Sequence, residues 1–199
     1  MVRVLDLGCG VGDSWRKSGR PAEDWELIGV DIAPDRLEIA RQKYSARGWR
    51  YICGCGENIP LSTASMDGAL CWVSLPYMNI PQALAEIHRV LVPGGWLIAA
   101  LHPPAFTWSE LKRSFPNPKP TLFRAFVLLN GIVLHFTGNV LSLGGKAESC
   151  QTESGMRSAL RRAGFATITF RRSNGEFYVE AKRDDAVELP REEFHQPAA

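Results

Sequence analysis

The sequence lacks the features that mark secreted, nucleic-acid-binding and membrane-spanning proteins. Five cysteines in 199 residues, odd in number and irregularly spaced, form no disulfide framework and favour a reducing, cytoplasmic setting. The net charge of only +2 gives no reason to expect a nucleic acid partner. The longest near-apolar run, residues 126–136, is shorter than the roughly 18–20 residues of a membrane span, so we expect no stable insertion. Residues 1–6 enter a strand pattern directly, and no signal peptide can be fitted.

What is present is a regular alternation of strand-like and helix-like segments. Five apolar strands and the helices between them are expected at residues 3–7, 26–31, 35–46, 50–53, 68–72, 81–91 and 96–101. Strands this apolar, separated by helices, predict a parallel sheet covered on both faces. Further along, a helix at residues 152–163 is followed by two strands that flank Asn174 and Gly175, which predicts an antiparallel hairpin.

Residues 103–149 interrupt this alternation. Five prolines lie within residues 103–120 and break the pattern. An apolar stretch follows at residues 121–143, and its large side chains recur at steps of three and four, which predicts a helix. The members of this stripe are Leu122, Phe126, Leu129, Val133, Phe136 and Val140.

A glycine-rich turn after the first strand is the strongest sign of a ligand. Glycine at positions 8, 10 and 12 lets the backbone turn tightly and approach a bound molecule closely. The dinucleotide pattern places a third glycine where this chain has Asp13, and the mismatch favours a cofactor without a pyrophosphate. Asp31 ends the second strand, where a carboxylate can accept both hydroxyls of a ribose. These residues predict an adenosine-type cofactor.

Five segments in order and at fitting distances give the chain a specific resemblance. They are residues 4–12, 29–33, 54–60, 66–67 and 88–95. Together they resemble the class I S-adenosylmethionine-dependent methyltransferases, especially the small-molecule branch that includes ubiquinone- and menaquinone-biosynthesis-type enzymes. The resemblance implies an α/β fold with a Rossmann-like doubly wound seven-stranded sheet, mostly parallel, ending in a C-terminal antiparallel hairpin.

The same resemblance implies the domain organisation. Residues 1–183 would form a single methyltransferase domain with an apolar, lid-like insertion at about 103–149, followed by a loose tail at 184–199. Family members usually carry one or two helices before the first strand, and these cover helices would be missing here.

The family pattern also implies a cofactor site for S-adenosylmethionine, without a metal. Asp6 and the three glycines would surround the methionine part, while Asp31 would hold the ribose. Cys55 departs from the pattern, because the family usually has a carboxylate beside the adenine edge. The residues implied to bind the cofactor are Asp6, Gly8, Gly10, Gly12, Asp31, Ile32, Cys55, Gly56, Glu57 and Trp72.

The acceptor is expected to be a small, lipophilic or aromatic molecule. His102, just past the fifth strand, is the best-placed general base, and Tyr77 could orient the acceptor. Phe106 and Trp108 lead into the apolar stretch, for which three interpretations stay open. It could be the acceptor-site lid, a helix packed on the sheet edge or on a second subunit of a homodimer, or a shallow membrane contact.

Two other functions remain open. A non-catalytic remnant that keeps the fold as a binding module would explain Cys55 and the absent cover helices. A nicotinamide-dependent oxidoreductase is disfavoured by Asp13 and by the terminal hairpin. Cys53 and Cys55 put two thiols on one strand face, but no further cysteine pair or histidine supports a metal site.

Overall fold

The computed structural model describes residues 1–20, 22–173 and 176–184. Seven strands and five α-helices make up these residues. The strands are β1 (Val2–Leu7), β2 (Trp25–Asp31), β3 (Arg50–Cys53), β4 (Met66–Trp72), β5 (Leu91–Leu101), β6 (Phe165–Ser173) and β7 (Glu176–Arg183). The helices are α1 (Pro34–Lys43), α2 (Ile80–Val90), α3 (Pro104–Ser114), α4 (Pro118–Thr137) and α5 (Glu153–Arg162).

All seven strands form one sheet in the order β3-β2-β1-β4-β5-β7-β6. The first five strands are parallel, whereas β7 runs antiparallel to both β5 and β6. The strand order reverses between β1 and β4, which is the switch point of a doubly wound sheet. The predicted fold class is therefore confirmed. The hairpin turn at residues 174–175 and all of the predicted tail except Asp184 lie outside the described residues.

Side chains from alternate positions of the strands fill two separate cores. Leu5 and Leu7 of β1 face the core beneath α2 and α5, while Val4 faces the core beneath α1. The α1 side is rich in aromatic rings, and Trp15 and Trp49 close its edge. Strands buried on both faces explain why their sequences read as continuous apolar runs.

The predicted start of the fifth strand was wrong. Pro93, Gly94 and Gly95 do not separate α2 from the next strand, because α2 ends at Val90 and β5 begins at Leu91. These three residues lie in a bulge of β5, where the pairing with β4 shifts, and a bulge tolerates proline because it needs no ladder hydrogen bond there. The residues after the glycine turn form a short 3₁₀ helix, Ser14–Lys17.

The proline-rich residues form helices rather than a loop. Pro104 and Pro118 each occupy the first position of a helix, where the missing N–H would have no partner within the helix. The second of these helices, α4, runs for 20 residues. By length and composition alone it is the one helix of the described chain that could cross a membrane. The expectation from the sequence compared only the near-apolar residues 126–136 with the length of a membrane span. The helix that contains them is long enough, so that argument against a span was wrong.

The segment after α4 is fastened back onto that helix by one buried side chain. The Nδ2 of Asn130 donates to the carbonyls of Leu141, Ala147 and Glu148 at 2.9–3.2 Å, and its Oδ1 accepts the N–H of Leu141 at 2.6 Å. Asn130 has no exposed surface. Every polar atom of this side chain is thus paired with the backbone of the returning segment.

Candidate functional site

The glycine turn has a backbone that favours glycine. Gly8, Gly10 and Gly12 have φ angles of 69°, 52° and 86°, in the left-handed region that side chains disfavour. At Gly8 a Cβ atom would also lie 2.2 Å from the Cβ of Ser74, so the close approach of these two backbone segments requires a glycine. The backbone at the next position is different. Asp13 has a φ of −95°, which residues with a side chain readily adopt, so this position does not require a third glycine.

Asp13 is used for structure instead. Its carboxylate accepts a hydrogen bond from Lys43 Nζ at 2.6 Å and another from the hydroxyl of Tyr44. These hydrogen bonds lower the pKa of Asp13. The carboxylate thereby fastens the glycine turn to the end of α1.

Asp31 is held in one orientation at the end of β2. Its Oδ2 accepts the N–H of Gly10 at 2.8 Å, and its Oδ1 accepts the N–H of Ala33 at 3.0 Å. A carboxylate has room for about four hydrogen bonds, so each oxygen can still accept one hydroxyl. This geometry fits the predicted bidentate recognition of a ribose.

A cavity of about 760 Å³ opens at the carboxyl ends of β1, β2 and β4. It brings together eight of the twelve predicted site residues: Gly8, Asp31, Ile32, Cys55, Gly56, Glu57, Trp72 and Tyr77. Asp6, Gly10, Gly12 and His102 do not line it. Ile32 is 72% exposed within this cavity, which is unusual for a large apolar side chain and suits contact with a flat ring.

Cys55, expected beside the adenine edge of the cofactor, lies at the wall of this cavity. It is an exposed, free cysteine. Glu57 accepts the N–H of Asn79 at 2.8 Å, and Asn79 in turn caps α2 through its side chain. One part of Glu57 is therefore engaged in holding α2 in place.

Trp72 lies where it was predicted, but its ring already has neighbours. Tyr178 packs against it at a centroid distance of 6.2 Å, and Lys17 Nζ lies 5.8 Å from its ring centroid. A cation at this distance interacts favourably with the indole face. The expected role of Trp72 in binding the cofactor remains a prediction.

Several residues that sequence reasoning missed also line the cavity. Arg36 reaches it from α1, Ser74 and Met78 follow β4, and Gly145 belongs to the segment after α4. Val73 has a φ of 61°, a strained value for a β-branched residue. The only sequence signal that could have placed Val73 in the cavity was its position directly after Trp72, at the end of a strand.

Asp6 lies behind the glycine turn with no exposed surface. Within the described residues neither of its carboxylate oxygens has a hydrogen-bond partner. Burial raises its pKa to about 7, with the negative charges of Asp31 and Asp13 adding to this effect and the nearby hydroxyl of Ser14 opposing it. A buried, unpaired carboxylate next to a ligand cavity is a feature that no sequence pattern indicated.

The predicted acceptor residues form an aromatic cluster. The ring centroid of His102 is 5.6 Å from that of Tyr77 and 4.7 Å from that of Phe106. Gln151 fixes the backbone of His102, because its Oε1 accepts the N–H at 2.7 Å. Burial, helped by Arg124, lowers the pKa of His102, so the neutral ring can accept a proton. Tyr77 alone of the two predicted catalytic residues reaches the cavity.

A charged cluster holds together the helices around these rings. Arg124 of α4 lies 2.6 Å from Glu148 and 3.6 Å from Glu110 of α3. Burial raises the pKa of Glu148, although Arg124 opposes this. No sequence pattern indicated this cluster, because its members are far apart along the chain.

No cluster of three or more metal-ligating side chains was found in the residues that the structure covers. Cys53 and Cys55 are free and exposed, whereas Cys9, Cys71 and Cys150 are free and buried. That the protein uses no metal stays a prediction.

The arrangement is that of α/β proteins that take a nucleotide cofactor at the switch point of a doubly wound sheet. Residues 4–95 match a family model described as a methyltransferase domain. The chain is 37% identical over 102 residues to a malonyl-[acyl-carrier protein] O-methyltransferase of Serratia marcescens, covering 48% of this chain and 36% of that protein. It is 29% identical over 168 residues to a demethylmenaquinone methyltransferase of Thermus thermophilus, covering 82% of this chain and 74% of that protein.

A solved structure from Thermotoga maritima, a methyltransferase described as a possible histamine N-methyltransferase, has a TM-score of 0.61. It is 20% identical and covers 92% of this chain and 83% of its own, which shows a shared fold alone. The chain is thus similar to class I S-adenosylmethionine-dependent methyltransferases of the small-molecule type, in sequence over residues 4–95 and in fold over most of its length. It spans only 36% of the Serratia protein's length.

Proposed function

We propose that this protein transfers a methyl group from S-adenosylmethionine to a small lipophilic or aromatic acceptor. The observation that carries the proposal is the cavity at the switch point, which combines a fixed carboxylate at Asp31 with the glycine turn. When bound, the cofactor supplies an electrophilic methyl group on a positively charged sulfur.

The residues present fit such a cofactor. Asp31 would accept the ribose hydroxyls, and the exposed Ile32 would cover one face of the adenine. Gly8 lines the same cavity, at a point where the close approach of Ser74 leaves no room for a side chain. With Cys55 in place of a carboxylate, adenine recognition would depend on backbone groups and on the exposed thiol.

The acceptor would bind on the side of the cavity that Tyr77 lines. Tyr77 is 53% exposed and touches His102, so an aromatic acceptor could stack between Tyr77 and the segment containing Gly145. His102 would take a proton from a hydroxyl acceptor, directly or through Tyr77. Most of the rate would come from alignment of the two reactants, since a displacement asks little else of the protein. The demethylmenaquinone methyltransferase among the relatives supports an aromatic, apolar acceptor by analogy.

Calorimetric titration with S-adenosylhomocysteine tests the cofactor site. We expect saturable binding by the wild type and about a hundredfold weaker binding by Asp31→Ala, because two charge-assisted hydrogen bonds are lost. Asp35→Ala, which removes an exposed carboxylate four residues further on, is the matched control and should bind normally. No binding by the wild type at millimolar ligand would refute the proposal.

A binding module without transferase activity is the second candidate, and the position of His102 outside the cavity lining favours it. Transfer of an isotope-labelled methyl group to a panel of phenols and hydroquinones separates the two candidates. The proposed enzyme labels at least one of them, and His102→Asn lowers kcat while His88→Asn does not. Normal cofactor binding without any labelling would favour the module.

A further inference from the structure

Exposed apolar side chains are concentrated in one segment of the molecule. Fourteen large hydrophobic side chains are exposed in the described part of the chain, and nine of them lie within residues 103–149. Of the other five, Ile32, Val73 and Tyr77 line the cofactor cavity, which accounts for their exposure. The nine are Phe106, Trp108, Phe115, Leu122, Leu129, Ile132, Phe136, Leu141 and Leu143.

Helix α4 presents a continuous apolar stripe to the solvent. Leu122, Leu129, Ile132 and Phe136 are 52–79% exposed and recur at steps of seven, three and four, which keeps them on one side of the helix. The opposite side packs into the protein through Val127, Asn130, Gly131 and Leu134. The helical stripe predicted from the sequence is therefore not the face that packs on the domain.

Unpaired lysines border this apolar surface. Lys112 Nζ lies 5.6 Å from the ring centroid of Trp108, and Lys146 Nζ lies 5.1 Å from that of Phe123. Lys119 is exposed one helical turn before Leu122. No carboxylate of the described chain lies within 4.0 Å of these three lysines, as the ion pairs of the segment involve Arg113 and Arg124.

The charge of the segment differs from that of the rest of the chain. Residues 103–149 contain five basic and two acidic residues, a net charge of +3, whereas the whole chain has +2. Large apolar side chains with a tryptophan, bordered by lysines, are the combination that binds at the surface of an anionic bilayer. A second copy of the chain fits this surface less well, because two copies that met there would bring their positive charges together.

We propose that the exposed face of residues 103–149 docks on an anionic lipid surface, with α4 lying in the plane of the interface. The segment also reaches the cavity at Gly145, so a docked domain would face its acceptor side toward the lipid. This inference does not depend on methyl transfer, because lipid binding is measured on its own.

Co-sedimentation with extruded vesicles tests the docking. The wild type should pellet with phosphatidylglycerol-containing vesicles and stay largely in the supernatant with pure phosphatidylcholine. Leu129→Glu and Phe136→Glu should each weaken the binding at least tenfold. Ile39→Glu is the matched control, since Ile39 is 50% exposed on α1, outside the segment. Thermal unfolding and S-adenosylhomocysteine binding should be unchanged in all three variants.

The lysines provide a second readout. Replacing Lys112, Lys119 and Lys146 with glutamine should weaken binding to the anionic vesicles by about fivefold for each residue. Lys182→Gln, which changes an exposed lysine on β7, should have no effect.

Equal binding of wild type and Leu129→Glu to anionic vesicles would overturn the proposal. So would a wild-type dimer that Leu129→Glu converts to a monomer in sedimentation velocity, because the stripe would then be a subunit interface.

Discussion

The cofactor half of the molecule, residues 1–101, and the insertion, residues 103–149, each contain a polar side chain with no exposed surface, with opposite consequences. Among the residues that the structure describes, Asp6 in β1 has no hydrogen-bond partner for either carboxylate oxygen, and burial raises its pKa to about 7. Asn130 in α4 is equally buried and has four hydrogen bonds to the backbone. The unpaired Asp6, beside a ligand cavity, therefore lowers the stability of the fold, whereas the fully hydrogen-bonded Asn130 raises it.

The two regions also differ in what they expose. Most exposed apolar side chains of residues 1–101 line the cavity, whereas those of the insertion lie on its outer surface. The proposed cofactor site is thus a cavity lined mainly by residues 1–101, whereas the proposed docking surface lies on the outside of the insertion. Substitutions in one region should leave the activity of the other intact.

The largest expected effect concerns Asp6 and pH. Its folded-state pKa of about 7 lies above the ordinary value of 3.8, so the folded protein binds more protons between these values. The free energy of unfolding should therefore fall as pH rises from about 4 to 7 and level off above. Asp6→Asn removes this loss and should be more stable than wild type at pH 8, by at most about 4 kcal/mol.

Urea unfolding at pH 5 and pH 8 measures this effect. The exposed Asp35→Asn serves as control and should follow the wild type at both pH values. Parallel pH curves for wild type and Asp6→Asn would show that Asp6 is not the source of the slope.

Asn130→Ala should have the next largest effect. It leaves three carbonyls and the N–H of Leu141 without their partner and should destabilise the protein by about 3 kcal/mol. Asn139→Ala, an exposed position just beyond α4, should change stability by less than about 0.5 kcal/mol. Chemical denaturation gives both values, and an equal loss for the two variants would contradict the role of Asn130.

Gly131→Ala tests how closely α4 packs on the segment that follows it. An added Cβ would lie 2.1 Å from Sγ of Cys150, so we expect a loss of about 2 kcal/mol. Cys150→Ala in the same chain removes the sulfur and should restore part of the stability. A double-mutant cycle by thermal unfolding measures the coupling, and additive effects would mean that the two residues do not meet.

The smallest effect is expected at Val73. Its φ of 61° is strained for valine, so Val73→Gly should stabilise the cofactor half by about 1 kcal/mol despite the added flexibility of glycine. The same change at Val140, which lies in the segment after α4, should destabilise. The melting temperatures of the two variants should move in opposite directions. If both fall, the conformation of Val73 carries no strain.

Residues with local signals were predicted well from the sequence. The five parallel strands and the glycine turn follow from apolar runs and spacing, and Asp31 could be placed because it ends a strand. The helix α3 was missed because proline is compatible with both a loop and the first turn of a helix. The outward direction of the α4 stripe could not be predicted, since periodicity shows that a face exists but not which neighbour covers it.

The most direct test of the account is the affinity for S-adenosylhomocysteine, measured by calorimetry on the wild type, Asp31→Ala and Leu129→Glu. The account predicts binding by the wild type, about a hundredfold loss in Asp31→Ala, and unchanged affinity in Leu129→Glu, which loses only vesicle binding. A wild type that does not bind, or a Leu129→Glu variant as impaired as Asp31→Ala, would contradict it.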